Sequence, residues 1–114
     1  MLKNDEIRLL HMLDAAREAV SLSADKTLDD LKHDRVLTLA LLKLIEIMGE
    51  ASVKISDEFK AGHETIPWRA VTAMRNHLIH VYFNVDLNIV WGAVKDEMPR
   101  LITSLEKIIK NPEK

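Results

Sequence analysis

The stretch DRVLTLALLKLIEIMGEASVKISDEF, residues 34–59, decides the fold class of this 114-residue chain. Its apolar side chains recur at steps of three and four residues, which is the period of one face of a helix. We therefore predict one long central helix from about Asp34 to Phe59. The positions that face inward are Leu37, Leu41, Leu44, Ile45, Met48 and Ile55.

Three further helices flank the central one. The same period runs from Asp5 to about Ser21, which predicts the first helix. Pro67 suits the first turn of a helix because its missing N–H would have no partner there, and this helix runs to about Val81. Asp86 can cap a last helix that reaches about Lys110. We expect Pro99 to bend that last helix, since proline deletes one backbone hydrogen bond.

The connections between these helices are short. Residues 21–26 break the first pattern, and Thr27 followed by Asp30 resembles a capping arrangement before a short helical turn over Leu28–Lys32. Residues 60–66 interrupt the pattern again. Four main helices with short connections predict an all-α fold, a four-helix up-and-down bundle, with residues 1–114 forming a single domain.

Composition excludes several classes of protein. An apolar fraction of 47% with 30% charged residues is that of a folded chain. There is no cysteine, which excludes disulfides and thiolate metal sites. The net charge of -2 excludes the bulk attraction to nucleic acid that a strongly basic domain shows. The charged start of the chain and the lack of a long apolar run predict a cytoplasmic protein with no membrane contact.

Residues 75–82, RNHLIHVY, concentrate polar chemistry on an otherwise apolar helix. They contain an arginine, four intervening residues, a histidine, one further residue and the only tyrosine of the chain. This pattern resembles the R-x4-H-x-Y signature of the HepT-like branch of the HEPN superfamily. The match extends to Pro67-Trp68 and to Asp86, and Gly49-Glu50-Ala51 is similar to the Gly-Glu-Ala element on the second long helix of that family. The resemblance covers nearly the whole chain.

The resemblance implies a metal-independent endoribonuclease in which Arg75 and His80 are the catalytic pair. Histidine titrates near neutral pH, so His80 can take the proton from a ribose 2'-OH or give one to the leaving oxygen. Arginine stays charged, so Arg75 can hold the phosphate as negative charge builds up. The expected products are a 2',3'-cyclic phosphate and a 5'-OH. No metal or other cofactor is expected.

The family also implies a biological setting and partners. Its members are toxins of type VII toxin-antitoxin systems and form homodimers. Their antitoxin, a minimal nucleotidyltransferase of the MntA type, transfers AMP to the motif tyrosine, which here is Tyr82. Arg75 and Tyr82 are seven residues apart and nearly in line on a helix, so an AMP group on Tyr82 would block RNA by charge and by volume. The expected partners are therefore RNA, this antitoxin and a second copy of the chain.

Geometry leaves the assembly of the site open, because a five-residue step turns about 140° around a helix and separates Arg75 from His80. Arg75 can reach around the helix, the helix can fray before His80, or the site can form across the dimer from two copies of each residue, as the family implies. Asn76 stands one turn before His80 and can orient its imidazole. Glu50 is either a structural ion-pair partner of Arg75 or a support for catalysis.

Two other functions fit the same sequence. One is a catalytically silent HEPN module that binds a nucleotidyltransferase, and the other is a purely structural helical dimer. His77 and His80 have a spacing that a metal could use, but we expect no metal site because no further cluster of ligands accompanies them. The histidines at positions 11, 33 and 63 stand singly and are expected at the surface or at the boundary of the core.

Overall fold

The computed structural model describes residues 2–80 and 85–110, and for residues 78–80 it describes the backbone alone. The described residues form helices joined by turns and contain no strand, which confirms the all-α prediction. A π-helical segment, Ala93–Glu97, joins the last two helices without a break. In chain order the helices are α1 (Lys3–Ser23), α2 (Leu28–His33), α3 (Arg35–Val53), α4 (Asp57–Gly62), α5 (Trp68–His80), α6 (Leu87–Gly92) and α7 (Met98–Lys110).

The predicted central helix is in fact two helices, α3 and α4, separated by residues 54–56. Ser56 begins α4, because its hydroxyl accepts a hydrogen bond from the N–H of Phe59 at 3.2 Å. The buried carboxylate of Asp5 in α1 accepts hydrogen bonds from the N–H of Ser56 at 2.9 Å and from its hydroxyl at 2.7 Å. The prediction of one helix was wrong because Ile55 is buried as well, so the apolar pattern continues across the break.

The capping predictions are confirmed. The hydroxyl of Thr27 accepts from the N–H of Asp30 at 3.1 Å, and the carboxylate of Asp30 accepts from the N–H of Thr27 at 2.8 Å. This reciprocal pair begins α2. Asp86 begins α6 by accepting from the N–H of Asn88 at 2.9 Å.

Pro99 changes the hydrogen-bond pattern of the last helix. Directly before it, the N–H of Met98 bonds to the carbonyl of Ala93, five residues earlier, in place of the usual four. Proline has no N–H to continue the α-helical pattern, and the wider turn accommodates this loss. Within the π-helical segment, the Lys95 ammonium donates to the carbonyl of Ser23 at 2.5 Å and so ties this segment to the end of α1.

The core lies between α1, α3 and α7. α1 packs against α3 and against α7, and α5 packs against α3. No helix among the described residues is both long enough and apolar enough to cross a membrane. The arrangement places α5, with the polar motif, on the outer side of α3. Five side chains with no exposed surface mark the centre of the core: Leu9, Met12, Leu41, Ile45 and Leu105.

Candidate functional site

An aromatic cluster fixes the first turn of α5, the helix that carries the motif. The indole Nε1 of Trp68 donates to the carbonyl of His63 at 3.0 Å. The Trp68 ring meets Phe59 of α4 edge-on, with 6.2 Å between the ring centroids, and the His63 ring stacks on Phe59 at 4.0 Å. Val71, one turn into α5, is buried. The start of α5 is therefore held on α4 by hydrogen bonding and by ring packing.

The first carbons of the Arg75 side chain lie directly against the backbone of α3 at Gly49. A Cβ atom built on Gly49 would lie 2.3 Å from Cβ and 2.7 Å from Cγ of Arg75, which is too close for any real contact. No glycine among the described residues has a positive φ, so Gly49 does not serve an unusual backbone conformation. α3 and α5 approach this closely because residue 49 has no side chain.

The charged end of Arg75 is held by the next residue of α3. Its Nε donates to Oε1 of Glu50 at 2.7 Å, and its Nη2 lies 2.5 Å from the same oxygen. Its Nη1 donates to Oδ1 of Asn76 at 2.9 Å. The side chains of Arg75 and Glu50 are 26% and 39% exposed, so the pair lies at the surface of the protein and is accessible to a ligand.

Among the described residues, these contacts do not use every N–H group of the guanidinium. Each terminal nitrogen of Arg75 carries two N–H groups, and the contacts to Glu50 and Asn76 engage one on each. Among the described residues, the second N–H on each nitrogen has no acceptor. Two such donors can bind oxygens of a phosphate group. Within the described part of the chain, the guanidinium is thus held by two partners and keeps these two N–H groups, its free edge, open to a ligand.

The other predicted site residues fall at or beyond the end of α5. His80 is its last residue, and the placement of the His80 side chain lies outside what the structure describes. Tyr82 lies outside the described residues. The structure therefore brings together Arg75, Glu50 and Asn76, while the predicted roles of His80 and Tyr82 stay predictions.

The geometry narrows the three arrangements that the sequence left open. α5 remains helical through His80, so fraying before that residue is wrong. The Arg75 guanidinium is held on α3 by Glu50, which disfavours a side chain that reaches around α5 toward His80. Asn76, predicted to orient the imidazole, uses its oxygen to accept from Arg75. The ion pair of Arg75 with Glu50, one of the two predicted alternatives for Glu50, is present.

Exposed apolar side chains on α3 lie close to Glu50 along the helix. Ile47 and Val53, each three residues from Glu50, are 39% and 44% exposed. Residues three apart are neighbours on a helix surface. Leu39 and Val36 extend the exposed apolar positions toward the start of α3. The rim of the candidate site is therefore partly apolar on the α3 side.

Two other features of the described residues are a buried histidine nitrogen and an apolar cavity. The Nε2 atom of His77 is buried and has no hydrogen-bond partner in the described part of the chain. Residues 2–80 and 85–110 contain no cluster of three or more His, Asp or Glu side chains that could hold a metal ion. The cavity between α3, α5 and α7 has mainly apolar walls, and Arg75 does not line it. Neither feature matches the chemistry that Arg75 presents.

Gly49 is the site residue whose role sequence reasoning did not identify. It stands beside Glu50 in the Gly-Glu-Ala element. Its contact with Arg75, which is 26 residues away in the sequence, cannot be derived from the sequence pattern alone. The available signal was a glycine inside a strongly helical stretch, where glycine is unfavourable unless close packing needs it.

Comparison with known proteins gives a consistent set of relatives. The family model for "Ribonuclease HepT-like" matches residues 12–108. A protein of Thermococcus cleftensis named "Probable ribonuclease HepT" is 38% identical over 102 residues, which cover 86% of this chain and 93% of that protein. A protein of Caldanaerobacter subterraneus subsp. tengcongensis named "Putative RNase" is 32% identical, with 90% and 91% of the two chains covered.

A longer relative has a second function in its name. The protein of Methanocaldococcus jannaschii named "Gamma-glutamylcyclotransferase and putative RNase" is 36% identical over all of this chain, which spans 51% of that protein. No solved structure matches the chain.

Proposed function

Because the chain belongs to the HepT-like ribonuclease family, we propose that it is a metal-independent endoribonuclease in which Arg75 and His80 act on the scissile phosphate. The observation that carries this proposal is the guanidinium of Arg75. It is fixed by Glu50 and Asn76 and keeps one N–H on each terminal nitrogen for two oxygens of a phosphate.

The proposed reaction is an internal transesterification of RNA. The 2'-oxygen attacks phosphorus while His80 takes its proton, the bond from phosphorus to the 5'-oxygen breaks, and a protonated His80 imidazole gives that oxygen a proton as it leaves. Negative charge builds up on the two non-bridging oxygens, and the free edge of Arg75 is suited to bind both. Glu50 and Asn76 support catalysis by orienting Arg75. The products are a 2',3'-cyclic phosphate and a 5'-OH end.

The proposed active unit is a homodimer. Arg75 is held on α3, and the five-residue step places His80 about 140° away around α5, so one copy does not readily bring both groups to one phosphate. Pairing two copies would bring two sets of Arg75 and His80 to one cleft. The exposed apolar residues Ile47 and Val53 beside Glu50 give such a contact an apolar surface to cover.

The proposed setting is a type VII toxin-antitoxin system. The chain would be the toxin, and an MntA-type minimal nucleotidyltransferase would be the antitoxin. That enzyme would transfer AMP from ATP to the phenolic oxygen of Tyr82 and release pyrophosphate. An anionic nucleotide close to Arg75 would compete for the same free edge as the RNA phosphate, which is how the modification would silence the toxin.

Cleavage of RNA in EDTA is the first test. Wild-type protein, shown by intact mass to lack an AMP group, is incubated with total RNA beside Arg75→Ala and His80→Ala. We expect cleavage by wild type alone, with cyclic phosphate ends, and a loss of about 100-fold or more in each variant. Arg100→Ala and His11→Ala remove an exposed arginine on α7 and an exposed histidine on α1 as matched controls, and both should cleave normally.

A folded, unmodified dimer that leaves all RNA intact would contradict the nuclease proposal and would favour the silent module that binds a nucleotidyltransferase. Cleavage that persists in both Arg75→Ala and His80→Ala would place the chemistry elsewhere in the chain.

The dimer is tested by measuring mass in solution. Ile47→Lys introduces a charge beside Glu50 at a position that is 39% exposed, so the monomer should fold normally. We expect it to elute as a monomer and to lose cleavage together with dimerisation. A monomeric Ile47→Lys variant with full activity would rule out a composite site.

Modification is tested by mass spectrometry with an MntA-type enzyme and ATP. The expected result is the addition of AMP to wild type, no addition to Tyr82→Phe, and loss of RNA cleavage in proportion to the modified fraction. AMP found on another residue would overturn the role of Tyr82.

A further inference from the structure

One position on α3 touches Arg75 without making any polar contact to it. A Cβ on Gly49 would lie 2.3 Å from Cβ, 2.7 Å from Cγ and 3.5 Å from Cα of Arg75. The nearest of these atoms, Cβ, is fixed to the backbone of α5, so no change of the Arg75 rotamer moves it away. Any side chain at position 49 therefore has to displace α5 relative to α3.

The polar contact comes from the very next residue. Glu50 holds Nε and Nη2 of Arg75, so α3 contacts this one side chain at both its first and its last atoms through two consecutive residues. A contact at one end alone would leave the side-chain torsions between Cβ and Nε free to place the guanidinium in several orientations. Contacts at both ends restrict the guanidinium to fewer orientations.

We propose that Gly49 is a positioning residue for the reaction: its missing side chain seats the stem of Arg75 against α3, so that Glu50 can fix which edge of the guanidinium meets the phosphate. This inference rests on the proposed nuclease function for its catalytic part. Its structural part, that Gly49 acts through Arg75, stands apart from any activity.

The other two glycines provide the contrast. A Cβ built on Gly62 or on Gly92 meets no atom within 4 Å. Gly92 is also helical, with φ -60° and ψ -42°, so an alanine there fits the backbone without strain. Gly92→Ala is therefore a matched control for Gly49→Ala, with the same chemical change in a helix but without the close neighbour.

The first measurement is the melting temperature, Tm, of Gly49→Ala, Arg75→Gly, the double variant and Gly92→Ala. Alanine is the better helix former, so Gly92→Ala should raise Tm. Gly49→Ala should lower Tm by about 5 °C or more because of the clash. In the Arg75→Gly background, where both clashing carbons are absent, Gly49→Ala should instead raise Tm. This reversal of sign identifies Arg75 as the residue that position 49 must accommodate.

The second measurement follows the guanidinium and the reaction at a temperature where every variant is folded. We expect the NMR signal of the Arg75 Nε–H, bonded to Glu50 in wild type, to shift toward that of a solvated arginine in Gly49→Ala and to stay unchanged in Gly92→Ala. We expect kcat/KM for RNA cleavage to fall about 100-fold in Gly49→Ala, as for a misplaced catalytic group, and to stay unchanged in Gly92→Ala.

A Gly49→Ala variant that is as stable as Gly92→Ala, or that loses Tm equally with and without Arg75, would overturn the inference. So would full cleavage by a Gly49→Ala protein whose Arg75 signal has shifted. If wild type cleaves no RNA, the proposed function fails, while the Tm cycle still decides whether Gly49 seats Arg75.

Discussion

The two long sides of α5 are packed in opposite ways. On the side that meets α3, there is no room for even a methyl group between Gly49 and Arg75. On the side that faces α7, a small cavity of about 40 Å³, partly open to solvent, lies between the helices. Ala70 and Met74 of α5 line that cavity, together with Met98 and Leu101 of α7.

The two sides of α5 therefore differ in how strictly they fix the side chains that lie on them. Close packing leaves a side chain few rotamers, so the α3 side can hold Arg75 in one orientation. A cavity tolerates changes of side-chain volume because its walls have space to adjust. The residue with the proposed catalytic charge stands on the close-packed side, where Glu50 also lies. Substitutions on the α3 side should therefore lower RNA cleavage, whereas substitutions on the α7 side should have small effects on stability and none on cleavage.

The largest effect in this comparison is expected from Glu50→Ala, which removes the carboxylate that orients Arg75. We predict that kcat/KM for RNA cleavage falls about 100-fold, because the guanidinium loses its fixed orientation. Glu50→Gln keeps an acceptor for Nε and should lose less. The free energy of unfolding should change by less than about 1 kcal/mol, since both side chains are partly exposed and solvent screens the pair.

Glu46→Ala is the control on the same helix. Glu46 lies one turn before Glu50 and pairs with Lys43 at 3.6 Å, so its removal takes away a surface ion pair of the same helix that does not involve Arg75. Its cleavage activity should equal that of wild type. Equal activity of Glu50→Ala and Glu46→Ala would mean that Glu50 does not orient Arg75 for catalysis.

The sequence predicted the structural features that depend on residues close together in the chain, namely the positions of helices and their caps. The three-and-four spacing of α1 and α3 reflects which face each helix buries, and the caps at Thr27 and Asp86 are hydrogen bonds within three residues. The family resemblance singled out Arg75 and Glu50 separately, and an ion pair between them was one of the two alternatives that the sequence left for Glu50.

The parts that the sequence could not predict depend on contacts between distant residues. The break at residues 54–56 is fixed by Asp5, 51 positions before Ser56, and the apolar pattern carries no trace of that hydrogen bond. The seating of Arg75 on Gly49 depends on how α3 and α5 cross. A glycine in a helical stretch indicates that something approaches closely, but not which residue does so.

A smaller effect is expected from Asn76→Ala. Asn76 makes one hydrogen bond to Nη1 of Arg75, whereas Glu50 contacts two of its nitrogens. A single hydrogen bond to a charged group contributes about 1.5 kcal/mol, which corresponds to a loss of about tenfold in kcat/KM. If Asn76 acts only through Arg75, kcat/KM should fall by the same factor at every pH, so that the shape of the pH–rate profile is unchanged.

The same variant separates the two roles considered for Asn76. If Asn76 instead orients the His80 imidazole, Asn76→Ala should move the limb of the pH–rate profile that reports the histidine. Kinetics from pH 5 to 9 with wild type and Glu50→Ala in parallel would show the difference. A displaced limb in Asn76→Ala alone would assign the amide to His80 and leave the orientation of Arg75 to Glu50.

The smallest effect is expected on the cavity side, from Ala70→Leu. Leucine is nearly as good a helix former as alanine, and its added carbons can enter the space between α5 and α7. We predict that the free energy of unfolding stays the same or rises by up to about 1 kcal/mol, and that cleavage is unchanged. Three added carbons at position 70 should thus cost less than one added carbon at position 49, and denaturant unfolding of the two variants measures this directly. A loss of stability in Ala70→Leu as large as that in Gly49→Ala would mean that both sides of α5 are equally close-packed, and the argument that the α3 side is specialised to hold Arg75 would fail.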